Sequence, residues 1–121
     1  MKKIAAALAI IFILSAPAFA VFSSKGQIPG GEPVEYRGLK VTSEGVNIII
    51  INRGDKAVKF SAALAFVDNN NKEVGDVFIE EITLAPQEQR QLTKLYLKGD
   101  EKLARKATSL KWTIYFLEIS Q

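Results

Sequence analysis

Between Val58 and Phe66 every second residue is apolar: Val58, Phe60, Ala62, Leu64 and Phe66. A strand sends alternate side chains to opposite faces, so this stretch presents one unbroken core face. A helix would scatter the same residues around its circumference. The other parity carries Lys59, Ser61, Ala63 and Ala65, mostly small enough to lie beneath a neighbouring strand. The chain is therefore expected to fold around a sheet.

The flanking segments repeat the message at the short spacing of an all-β domain. Val34–Thr42 reads as a strand weakened by Gly38, and Val46–Asn52 as a strand with four consecutive isoleucines. That run places apolar groups on both faces, as in a strand covered on both sides or lying at an interface. Asn52-Arg53-Gly54-Asp55 and Asp68-Asn69-Asn70-Asn71-Lys72 are turn sequences. Glu73–Leu84 changes its apolar parity between Ile79 and Ile82, which a bulge explains. Gln89–Leu97 and Leu110–Ile119 complete the strands, the last with Leu110, Trp112, Ile114 and Phe116 inward. Between them, a short helical turn near 100–107 is capped by Asp100, with Leu103 and Ala107 on its apolar side. No helix is long enough for a parallel crossover, so about six or seven strands form an all-β, antiparallel β-sandwich.

The N-terminus has the layout of a secretory signal. Lys2 and Lys3 precede the apolar run Ile4–Leu14, Pro17 ends it, and Ala18-Phe19-Ala20 supplies the small residues of a cleavage site. The expected organisation is a signal helix over 1–20, a flexible leader over 21–33 and a sandwich domain over 34–121. The chain is expected to be exported, periplasmic or extracellular after cleavage near Ala20. Only an uncleaved signal would hold it in a membrane.

Charge and composition narrow the function. Removing Lys2 and Lys3 leaves fourteen basic against thirteen acidic residues, a charge of +1, so nothing favours nucleic acid as a partner. The chain has no Cys and no His. It lacks the side chains most often used as nucleophile, general base and transition-metal ligand. GxSxG and SxxK motifs are also absent, and Gly26–Gly31 has no phosphate-loop ending. No catalytic, cofactor or metal residues are assigned, and an enzyme is not expected. Asp68, Asn70, Glu73 and Asp76 fail the calcium-loop pattern, with Lys72 at a ligand position and Glu73 where Gly is required.

Gly45–Leu97 resembles the FxLYD-type, immunoglobulin- or fibronectin-like domains of bacterial exported proteins. The resemblance rests on Asn52-Arg53-Gly54 after an apolar strand and on a strand closing at Leu64-Ala65-Phe66-Val67-Asp68. It continues through the Asn-rich hairpin, Val74-Gly75 and the turn Leu84-Ala85-Pro86-Gln87-Glu88. Phe66-Val67-Asp68 departs from the family's Leu-Tyr-Asp, and Gln87 from its usual Gly. The resemblance implies an immunoglobulin-like accessory module and carries no catalytic residues.

Two features are candidate partner surfaces. Arg90, Lys94 and Lys98 share a parity and, with Arg105 and Lys106, give the C-terminal third a basic bias. Ile49 and Ile51, with Leu117 and Ile119, exceed what one core face needs. The expected function is a non-enzymatic accessory or interaction module that binds another envelope protein. One alternative is a structural subunit that assembles through an edge strand. The other is a weak carbohydrate- or calcium-binding module, with Tyr36, Tyr96, Trp112 and Tyr115 the rings able to stack on a sugar.

Overall fold

The computed structural model describes residues 21–121, and the expected signal segment lies outside them. Two four-stranded antiparallel sheets make the fold. The elements are β1 (Gly26–Gln27), β2 (Val34–Thr42), β3 (Gly45–Asn52), β4 (Val58–Val67) and β5 (Glu73–Leu84). They continue with β6 (Gln89–Leu95), β7 (Lys98–Gly99), α1 (Glu101–Arg105) and β8 (Ser109–Ile119). One sheet has the order β1-β2-β3-β6 and the other β7-β5-β4-β8. Both inner faces contribute to one core, including Val46, Ile48 and Ile50 from β3 and Phe60, Leu64 and Phe66 from β4. An all-β sandwich is thus the observed architecture.

The alternation that defines β4 holds throughout, but neither neighbour keeps step with it. On one side Phe60 faces Ile82 and Ala62 faces Ile79, so Glu80 and Glu81 together oppose Ser61. On the other side Ser61 faces Phe116 while Ala62 faces Ile114, which leaves Tyr115 unpaired. Each is a bulge, two residues against one. The first explains the changed parity of β5. The second changes β8: Leu117 packs against the core, and Phe116 turns outward and is 40% exposed. The inward placement expected for Phe116 is therefore corrected.

The expected leader is part of the sandwich. Gly26 and Gln27 pair with Tyr36 and Glu35. Ile28 is fully buried in the core, and the Phe22 ring meets Phe66 edge-on at 5.3 Å. The Ser24 carbonyl accepts from the Leu39 amide at 3.1 Å, and the Ser23 carbonyl from the Tyr36 hydroxyl at 2.9 Å. Its glycines and Pro29 bend the chain, and the few apolar residues between them do the packing. The helical turn also differs in detail. Asp100 caps α1 by accepting from the Leu103 amide at 3.0 Å, but Ala104 and Ala107 are buried and Leu103 is half-exposed.

Asn52 ties the two sheets at one end. It is fully buried, and its side-chain nitrogen donates to the carbonyls of Lys56 (2.8 Å), Ala85 (3.1 Å) and Leu84 (3.2 Å). Its oxygen accepts from the Gly54 amide at 2.9 Å. One amide thus fastens the β3–β4 turn to the β5–β6 turn, and burying it is tolerable because every polar atom is bonded.

Packing of the leader predicts that Ile28→Ala lowers unfolding stability by about 2–5 kcal/mol. Urea denaturation measures this, and an unchanged midpoint would mean that 21–33 lies outside the cooperative unit.

Candidate functional site

The sandwich is open along the seam between β5 and β6. β7 pairs with β5 only at Gly75 and Asp76, so β5 from Val77 onward has no strand on its outer side. β6 is the outer strand of the other sheet. The Ala85–Glu88 turn closes one end of the seam. At the other end the chain leaves the first sheet after Leu95 and joins the second as β7. That approach requires glycine at position 99. Its φ is +134°, and a Cβ there would sit 2.6 Å from both the Gly75 Cα and the Val74 carbonyl oxygen.

The seam forms a groove of about 600 Å3. Ile79 lies at its base, fully buried, while Ile82, Leu92 and Leu95 are partly buried walls. Phe78 and Tyr96 stand at the mouth, 53% and 80% exposed. The β5 rim carries Asp76, Glu80 and Glu81, the facing β6 rim carries Lys94, and Lys98 on β7 stands at the end of the groove beside Asp76. Among the described residues, none of those three carboxylates is in an ion pair. The groove can therefore desolvate apolar side chains and offer backbone hydrogen bonds along β5.

The basic residues singled out in the sequence are dispersed. Arg90 donates to Glu88 Oε2 (2.6 and 3.0 Å) and to the Thr83 carbonyl (3.0 Å), bracing the turn beyond the groove. Lys94 stands on the rim, 3.8 Å from Glu44, with both groups well exposed. Lys98 belongs to the other sheet, so no single strand displays Arg90, Lys94 and Lys98 as one stripe. The physical reason is local: Lys94 has a φ of +55°, and the chain changes sheet just beyond it. Arg105 pairs with Glu101 one helical turn away, and Lys106 forms the C-terminal cap of α1.

The isoleucines resolve differently. Ile48 and Ile50 face the core, and Ile49 and Ile51 take the outer face. Ile51 is nonetheless only 2% exposed. It lies beside Glu35 and Gln89 in the register. The Arg37 guanidinium donates to Gln89 Oε1 at 2.6 Å, spanning β3, and Arg53 pairs with Glu35 at 3.0 Å. Long polar side chains thus shield Ile51 with their stems. It offers no surface, and Ile49 is half-buried.

Tyr36 and Trp112 face each other at 5.4 Å across the inner layer, and burial raises the Tyr36 phenol above its usual pKa. Tyr96 and Tyr115 are exposed, one at the groove and one against Phe78 on the outer face of the β4 sheet. The four rings do not assemble into one platform. Asp68 Oδ1 accepts from the Asn70 and Lys72 amides at 2.9 Å, and so serves the hairpin. Among the described residues no three carboxylates converge as metal ligands, and no helix is long and apolar enough to cross a membrane. In the sequence Tyr96 stands out only as a ring able to stack on a sugar, and Phe78 and the Glu80–Glu81 pair carry no partner-surface assignment. The signal available was the change of parity in β5. No family model, curated protein or solved structure matches this chain.

Glu88 sets a pH dependence at the end of the groove. Its Oε1 accepts from the Ala85 amide at 2.8 Å and its Oε2 from Arg90. These bonds, the backbone one first, hold its carboxyl below the usual pKa. Its contribution to stability is thus complete above the unfolded glutamate value of about 4.3 and is lost as pH falls through the lower folded value. Glu88→Gln should lower the thermal midpoint at neutral pH, by a margin that shrinks on acidification. A margin equal at both extremes contradicts the assignment.

Proposed function

We propose that this chain is a non-enzymatic, exported β-sandwich module of the bacterial envelope. In this reading it docks another envelope protein in the groove between β5 and β6. The observation that carries the proposal is the combination found there. A strand edge without a neighbour runs beside an apolar groove, with the exposed rings of Phe78 and Tyr96 at its mouth. Aromatic anchors around a desolvated pocket are the composition of protein-binding sites. Export rests on the signal layout of residues 1–20, and the non-enzymatic reading on the lack of His, Cys and nucleophile motifs.

The immunoglobulin-like form and the FxLYD-type resemblance belong to the same proposal. In support, β3 lies beside β6 and β4 beside β8, while the connections β3–β4 and β6–β8 pass between sheets. That pattern matches the Greek-key connectivity of such sandwiches.

A photo-crosslinking residue at position 96, in the exported protein in its host, tests the reading. It should yield a discrete adduct with an envelope protein, diminished by Ile82→Glu. The same label at Lys106 should give none. Equal adducts from both positions, or none from position 96, contradict the groove as the docking site.

A further inference from the structure

β8 is the second long strand edge in the molecule. It pairs with β4 along its whole length and is the last strand of its sheet. Among the described residues no backbone hydrogen bond reaches its far side. Tyr115 is 63% exposed, Phe116 40% and Ile119 43%, while Trp112 and Leu117 are only partly covered. A long apolar edge of this kind pairs with another strand unless something blocks it.

We propose that two copies of this chain join by antiparallel pairing of β8 with β8, about a two-fold axis between Ile114 and Tyr115. The two β4 sheets then run into one. Two independent observations select this occupant and this register.

The first is the bulge. Facing residues of an antiparallel pair project to the same side of the sheet. Before the bulge the inward residues of β8 are Trp112 and Ile114, and after it Leu117 and Ile119, set by their partners Leu64, Ala62, Phe60 and Val58. The inward parity is thus even in the first half and odd in the second. When a strand meets its own copy, the first half of one faces the second half of the other. Away from the bulged Tyr115, which stands outward at the axis, only registers that set an even-numbered residue against an odd-numbered one then keep inward against inward. In the proposed register Trp112 faces Leu117 of the second copy and Thr113 faces its Phe116.

The second is charge. This register sets Lys111 opposite Glu118 of the second copy, twice by symmetry, both on the outer face. The next permitted registers, one step to either side, place Lys111 opposite Phe116 or Ser120 instead. Lys111 is free to make the exchange, since its contact with Glu73 is 3.6 Å between groups more than half exposed. β5 offers no such match. Its own bulge holds Glu80 and Glu81, and a two-fold pairing there sets carboxylate against carboxylate. The acidic edge resists self-pairing, and the β8 edge invites it.

The test is sedimentation equilibrium on the exported protein purified from its host. The wild type should dimerise with concentration. Lys111→Glu and Glu118→Lys should each weaken the dimer about tenfold, since each turns two attractions into repulsions. The double variant should restore wild-type affinity, which also shows that the single variants fail at the interface and not in folding. Because the chain has no native cysteine, Tyr115→Cys should form an intermolecular disulfide on oxidation and Glu80→Cys should not. A wild type that stays monomeric, a dimer indifferent to the single reversals, or a double variant without rescue would each overturn the proposal.

Discussion

Ser61 is the point around which both neighbours of β4 break step. It is nearly buried, and its hydroxyl donates to the Ile79 carbonyl at 3.1 Å, at the edge of the β5 bulge. A buried hydroxyl is tolerated only when bonded, and here its partner is a carbonyl beside the ladder's irregular step. Opposite it, β5 inserts the Glu80–Glu81 pair and β8 inserts Tyr115. The two bulges shift both flanking strands by one residue relative to β4. Ile82 and Leu117 can then face the core, and Phe116 is delivered to the surface.

The surface features follow from that shift. The β5 bulge turns two carboxylates toward the groove rim, where they flank an edge that β7 covers at only two residues. The β8 bulge places tyrosine and phenylalanine on the outer face and inverts the parity along that strand. The two ends of the strand thereby carry opposite charges on the same face. The β5 edge is the one proposed to dock a different chain, and the β8 edge the one proposed to pair with a copy of this chain. Asn52, at the far end of β3, fastens the turn that enters β4 to the turn that leaves β5.

Much of the architecture was legible because it is written in local chemistry. The alternation of β4, the Asn-rich hairpin closed by Asp68, the Asp100 cap and the irregular step in β5 all announce themselves within a few residues. What stayed hidden depends on partners distant in sequence. Residues 21–33 look weakly apolar, yet Ile28 and Phe22 find a core made by strands far along the chain. In β8 the run of apolar residues around Tyr115 suits either parity, and only its pairing with Ser61 decides it. The basic residues seemed to share a strand because sequence parity cannot show a chain changing sheets after Leu95. Ile51 looked like a surface because the side chains that shield it come from β2 and β6.

The nuclear Overhauser pattern of the folded domain reads the double change of step at Ser61 directly. Cross-strand contacts are expected between Phe60 and Leu117 and between Ala62 and Ile114, with no β4 residue paired to Tyr115. On the other side Phe60 should contact Ile82 and Ala62 should contact Ile79. A continuous register, with Ser61 facing Tyr115 and Phe60 facing Phe116, would turn Phe116 inward and rule out the double bulge.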